Sequence, residues 1–160
     1  MPKRVVDTNF WSNADVLDHY SLEDKYFYLY LITNCKTTQL GIYSLPKKVI
    51  AFEAGFNVEI VDVLLDRFVN TYKKIIYDSE TQEIALIDSL RWSVLVDEEP
   101  AADLLSSELS QVKQSYLIQQ TYEYMHHYWQ TSSRPFDKIA MSLFEEEITR
   151  RNLVIENDSN

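Results

Sequence analysis

Glycine is nearly absent from this chain: Gly41 and Gly55 are the only two among 160 residues. A phosphate-cradling loop needs several glycines close together, so that backbone amides can approach the ligand. No such loop is present, and nucleotide hydrolysis is not expected. Cysteine is scarcer still, with Cys35 alone. It can form no disulfide within the chain, which suits a reducing compartment. As a nucleophile it would need a base and an oxyanion site. His19 is the nearest histidine in sequence, and no catalytic signature surrounds either residue. Glu123 and His127 stand four apart, beside His126, and would share one face of a helix. A structural zinc site wants four ligands, usually Cys or His, and the others are not visible. The pair reads as surface or interface histidines. Glu145-Glu146-Glu147 reads as a solvated helix face. No carboxylate spacing argues for a nuclease. Long apolar runs are missing too: none approaches the roughly 18 residues a membrane span needs. The first residues, Met1 to Asp7, hold no apolar stretch, so a signal peptide is not expected. These absences point to a non-enzymatic cytoplasmic protein that needs no cofactor or metal and does not engage a membrane.

What is present is apolar bulk and acid. Hydrophobic residues make up 46%, so disorder is not the default, and 11 tyrosines add aromatic mass. The length suits one domain with a core, or one domain with a helical appendage. The formal net charge is −10, unevenly spread. Residues 1–96 hold 10 basic and 13 acidic side chains, whereas residues 97–160 hold 5 and 12. Such a field opposes nucleic acid at long range, although a local basic patch can still bind it.

Along the chain, Ser21-Leu22-Glu23-Asp24 reads as a loose capping box. The helix that follows, to about Asn34, is apolar nearly all round and should be central and largely buried. Gly41 to Leu45 is short and β-prone. Pro46 suits the first turn of a helix from Lys47 to Ala54, and Gly55 ends it in left-handed geometry. Asn57 can cap a further helix, Val58 to about Tyr72, with Val58, Val61, Leu64, Leu65 and Phe68 at helical spacing. Two helices joined by a tight glycine turn are a helix-turn-helix signature. Lys74–Tyr77 and Ile84–Ile87 then flank a polar turn and read as a hairpin, the wing. The Gly41–Leu45 segment can supply a third strand. The expected architecture is mostly α with a small antiparallel β-sheet. A winged helix-turn-helix over residues 1–95 precedes a linker at 96–102, a helical extension at 103–151 and a disordered tail at 152–160. Residues 103–131 read as one long helix. Leu105, Leu109, Val112 and Tyr116 recur at 4, 3, 4 spacing, and Ile118, Tyr122, Met125 and Trp129 repeat it in shifted phase. The shift implies a bend, or partners on two faces. Ser132 to Pro135 breaks the helix before a last amphipathic one.

Several pieces, in this order and spacing, carry a resemblance. They are Asn9-Phe10-Trp11-Ser12, Ser21 to Lys25, Leu29 to Asn34, Thr38 to Tyr43, Ile50 to Phe56, Lys74 to Tyr77, and Trp92. Together they resemble the N-terminal winged-helix domain of phage replisome organisers and DnaD-like primosome proteins, over about residues 9–92. The resemblance implies a role in starting phage- or plasmid-type DNA replication. It implies origin binding, self-assembly, or recruitment of a helicase or helicase loader. The second half departs from the pattern. Met125-His126-His127-Tyr128-Trp129 echoes only the end of a motif of the family's second domain, and Thr121 stands where an aromatic is expected. The C-terminal function is not carried over.

The second helix of the motif would enter the major groove. Its outward face, Asn57, Glu59, Asp62, Asp66, Arg67 and Asn70, holds three carboxylates, a poor match to phosphate. The wing tip, Asp78 to Glu83, is acidic as well. Lys47 and Lys48, with Lys73 and Lys74, could form a phosphate-contacting rim together with Lys3 and Arg4, or could simply be solvated surface lysines. Candidate DNA contacts are therefore Lys47, Lys48, Asn57, Arg67, Asn70, Lys73 and Lys74. Phe10 and Trp11 are expected to pack on the core or on a neighbouring subunit rather than to stack on bases. The stripe of Leu105, Leu109, Val112 and Tyr116 needs a partner surface, in an oligomer or in the chain's own winged helix. The expected function is a non-enzymatic replication-initiation scaffold that binds DNA, oligomerises, or does both. The alternatives are a winged-helix transcription regulator using Arg67 and Asn70 on an operator, and a protein-interaction adaptor that does not bind DNA.

Overall fold

Side-chain caps set the starts of the first helical pieces in the computed structural model, which describes residues 3–92 and 98–152. Asp7 accepts from Asn9 N and opens a 3-10 turn, Thr8–Ser12. Asn13 accepts from Asp15 N and Val16 N and opens α1, Ala14–His19. Ser21 and Asp24 form the reciprocal capping box of α2, Leu22–Thr33. The turn and α1 were not legible as elements, since so short a piece has no apolar period to read. Their buried residues are Phe10 and Val16.

The chain falls into two units, each with its own core; the first comprises residues 1–37 and 43–86. In it, β1, Ile42–Ser44, leads to α3, Lys47–Ala54, with Pro46 at its N-cap. Gly55 follows at φ 77°, in the left-handed region that lets the chain reverse without a Cβ penalty. Asn57 Oδ1 accepts from Ile60 N at 2.9 Å and starts α4, Val58–Asp66. The helix was expected to run to about Tyr72, but beyond Asp66 it widens into one π turn, Arg67–Thr71. Tyr72 N donates to Arg67 O, five residues back, at 2.9 Å. β2, Ile75–Asp78, and β3, Glu83–Leu86, pair antiparallel with Ile75 opposite Leu86 and Asp78 opposite Glu83. β1 lies on the other side of β3, giving a three-stranded sheet in the order β1-β3-β2.

Phe27, Leu31, Leu45, Ile50, Val61, Leu64, Phe68, Ile75 and Ile84 fill this core. Phe10 and Phe68 stack on Tyr28, their centroids each 5.9 Å from it. α2 is less buried than its apolar content suggests. Asp24, Phe27 and Leu31 face inward, whereas Leu22 and Tyr26 are exposed.

The second unit comprises residues 38–42 and the chain from Ile87. It holds a 3-10 turn, Ser89–Trp92, and the helices α5, Glu98–Gln111, α6, Ser115–Thr131, and α7, Pro135–Arg150. α7 packs against both α5 and α6. Leu105 and Leu109 of α5, Val112 just after it, Leu117, Ile118, Met125 and Trp129 of α6, and Phe136, Ala140, Phe144 and Ile148 of α7 are buried. Glu108 holds the 38–42 segment by accepting from Leu40 N at 2.8 Å and Gln39 N at 3.2 Å.

The unit boundary thus falls after Leu86 rather than at residue 95, and a segment from the first half belongs to the second unit. Of the expected linker, residues 96 and 97 lie outside the described residues, and 98–102 are the opening turns of α5. Pro100 is tolerated there because N–H groups in a first turn have no helical acceptor anyway. The single helix expected over residues 103–131 is two, parted at Val112–Gln114, which accounts for the shift in apolar phase. Residues 153–160 of the expected tail lie outside the described residues. The chain is mostly helical with a small antiparallel sheet. Among the described residues, no helix is long and apolar enough to cross a membrane.

Candidate functional site

Burial of Val61, Leu64 and Leu65 fixes how α4 is rolled. At about 100° per residue, the opposite face then carries Glu59, Asp62, Val63 and Asp66, all exposed. This is the outward face the sequence leads one to expect, and its three carboxylates dominate it. Asn57 is engaged as the cap of α4, and Asn70 Nδ2 donates to Asp66 Oδ1 at 2.8 Å.

The cations nearby are largely committed. Lys47 Nζ lies 2.5 Å from Asp62 Oδ1 and 5.8 Å from the centroid of the Tyr77 ring. Arg67, the one arginine on the expected reading face, turns away from it. Its Nη1 donates to Asp24 Oδ1 at 2.5 Å. Asp24 is only 1% exposed. It also accepts from Tyr72 OH at 2.6 Å and from Ser21 N at 3.0 Å. Burial alone would push this carboxyl up. The bonds from Tyr72, Ser21 and Arg67, with the arginine's charge, outweigh burial and hold it below the usual carboxylate range. Burial and the same bond push the Tyr72 phenol up to about 12. Arg4 Nη2 donates to Thr37 O at 2.6 Å. Lys48 and Lys73 are exposed and Lys74 is half-buried, so these remain as the rim.

At the hairpin turn, Asp78 and Glu83 are buried, and Asp78 Oδ2 accepts from Thr81 N at 2.7 Å and from Thr81 Oγ1 at 2.8 Å. The hairpin turn therefore presents less acid than its sequence suggests, with Glu80 its exposed carboxylate.

The expected partner residues divide. Phe10 is buried in the core and Trp11 is exposed, touching Phe10 edge-on at 5.0 Å. Leu105, Leu109 and Val112 are buried within the single chain, so their burial needs no second chain; Tyr116 is half-buried. Reading the stripe as an oligomer surface is corrected accordingly: on one helix, spacing reports that a face is covered, not what covers it. The Asp24–Arg67 pair was missed because its members lie 43 residues apart. The exposed side chains of Leu17, Leu22 and Phe52 were missed too, since nothing local in a sequence marks an apolar residue as solvent-facing.

Glu123 accepts from Gln119 at 3.2 Å, and His127 is exposed. Among the described residues, no group of three or more His, Cys, Asp or Glu is placed to hold a metal ion. No protein-family model, no curated protein and no solved structure matches the chain.

Proposed function

We propose that the chain is a non-enzymatic, cytoplasmic scaffold of phage-type replication initiation whose winged-helix unit acts through protein contacts rather than by reading a DNA groove. The replication setting comes from the resemblance of residues 9–92 to phage replisome organisers and DnaD-like proteins. The winged-helix reading is supported by the order α2, β1, α3, α4, β2, β3, by the left-handed Gly55 turn between α3 and α4, and by the β2–β3 hairpin. The preference for protein contacts is carried by one observation. The exposed face of α4 presents Glu59, Asp62 and Asp66, while Arg67 is drawn to buried Asp24 and Lys47 to Asp62. A helix entering the major groove must tolerate phosphates on both sides, and three carboxylates there are repelled.

A second reading, DNA contact through the rim, is favoured by exposed Lys48 and Lys73. The operator-binding regulator is less well supported, because Arg67 would have to leave its buried partner to reach a base. Fluorescence anisotropy with a labelled duplex, titrated with salt, separates these readings. The scaffold reading expects no association tighter than the roughly 10⁻⁴ M typical of the weakest non-specific binding near 0.15 M salt. Micromolar binding with a steep salt slope would favour the rim, and added sequence preference would favour the regulator.

A further inference from the structure

The segment from Asp7 to Glu23 joins apolar exposure to charge of one sign. Phe10, Val16 and Tyr20 anchor it in the core. Outside that anchorage, Trp11 is 58% exposed, Leu17 60% and Leu22 84%. Asp7, Asp15, Asp18 and Glu23 are exposed among them. No lysine or arginine occurs between Arg4 and Lys25. The backbone is fixed by the Asp7, Asn13 and Ser21 caps, so docking would order little new chain.

We propose that this segment is the docking surface for a basic partner protein, whose apolar groove takes Trp11, Leu17 and Leu22 while cationic side chains at its rim meet the four carboxylates. The proposal rests on the scaffold reading above and names its surface. Charge selects the occupant. A second copy of this chain would bring the same four carboxylates face to face in a two-fold contact and carries the same net charge of −10. Nucleic acid and anionic lipid are repelled for the same reason. A cationic protein surface is attracted, and an exposed tryptophan in the same segment as two exposed leucines supplies the kind of anchor that dominates interface energy.

The test uses the full chain labelled with ¹⁵N and a synthetic amphipathic helical peptide of about 18 residues, Leu on one face and Lys on the other. A counterpart with Glu in place of Lys is the control. The expected result is saturable binding of the Lys peptide, weakened by salt, with shift changes centred on residues 7–23 and including the Trp11 indole. Combining Trp11→Ala with Leu17→Ser should weaken it roughly ten-fold or more. Asp15→Asn with Asp18→Asn, which leaves the apolar residues in place, should weaken it less and flatten the salt dependence. Thermal melts confirm that each variant folds. The proposal is overturned if the peptide does not bind, if its shifts centre on the acidic face of α4 or on the second unit, or if the Glu peptide binds equally. It is also overturned if sedimentation reveals a dimer that Trp11→Ala dissolves, since the occupant is then a second copy. A parallel duplex titration keeps the readings apart: DNA binding would remove the scaffold reading and leave the location of peptide binding to be judged by itself.

Discussion

Removing the Asp24 carboxylate would take away the acceptor that Arg67 Nη1, Tyr72 OH and Ser21 N share, leaving Tyr72 OH only His19 O, at 3.0 Å. A buried acceptor serving three partners costs far more to lose than a surface ion pair. Asp24→Ala should destabilise the chain by about 2 kcal/mol in urea unfolding, the fully buried figure being reduced because the guanidinium reaches solvent. The carboxyl also has a pH signature. It is held below its ordinary value of 3.8. Its contribution is therefore complete above the unfolded value and is lost as the pH falls through the lower folded value. Unfolding free energies measured between about pH 3 and pH 7 should fall toward acid in the native chain, and less so in Asp24→Asn. An unchanged acid slope in the variant would remove this role from Asp24. The same residue marks what sequence can disclose. Its part in the capping box was legible, because Ser21 and Asp24 are three apart and the pattern is local. Its pairing with Arg67 was not, because nothing in either segment encodes a meeting across 43 residues.

Among the elements, joints separate what was legible from what was not. The Gly55 turn was legible because left-handed backbone selects glycine. A Cβ at Gly55 would meet no atom within 4 Å. The cost of Gly55→Ala is thus backbone strain alone, about 1 kcal/mol, and Gly55→Asn should cost less because asparagine visits that region more readily. Equal melting temperatures for all three would contradict the assigned turn. The α5–α6 joint carries no such mark. It is held from a distant helix end, where Arg151 Nη2 donates to Leu109 O at 3.0 Å and Nη1 to Ser115 Oγ at 3.1 Å. Glu147, buried, orients that arginine by accepting from its Nε at 2.7 Å. Arg151→Ala should lower stability by about 1–2 kcal/mol and speed amide exchange at the C-terminal end of α5, with Arg151→Lys recovering only part, since lysine lacks the planar fork. Uniform exchange throughout α5 in both variants would argue against the clamp. The apolar phase shift along residues 105–129 announced a change here, and only the structure distinguishes a break from a bend.

For the whole molecule, charge is the governing property. The chain carries −10, and three of its carboxylates stand exposed on one face of α4. Composition made the sign legible and the helical period located the carboxylates on one face. The withdrawal of Arg67 to Asp24, which sharpens the case against groove reading, depends on a side-chain partner that sequence does not disclose, whereas Lys47 meets Asp62 on the face itself. The division into units was half-legible: a portion with a small sheet followed by helices was readable, but the place of residues 38–42 in the second unit, where Glu108 holds the Gln39 and Leu40 amides, was not. The claim that acid on α4 bars this unit from DNA is tested most directly by neutralising that face. Duplex binding by the native chain should be compared with that of Glu59→Gln, Asp62→Asn and Asp66→Asn combined, at about 0.05 M and 0.15 M salt. The account predicts binding by the native chain no tighter than roughly 10⁻⁴ M near 0.15 M salt and a salt-sensitive gain of roughly ten-fold or more in the variant, to which the released Lys47 contributes. Native binding that the neutralised variant matches would contradict it.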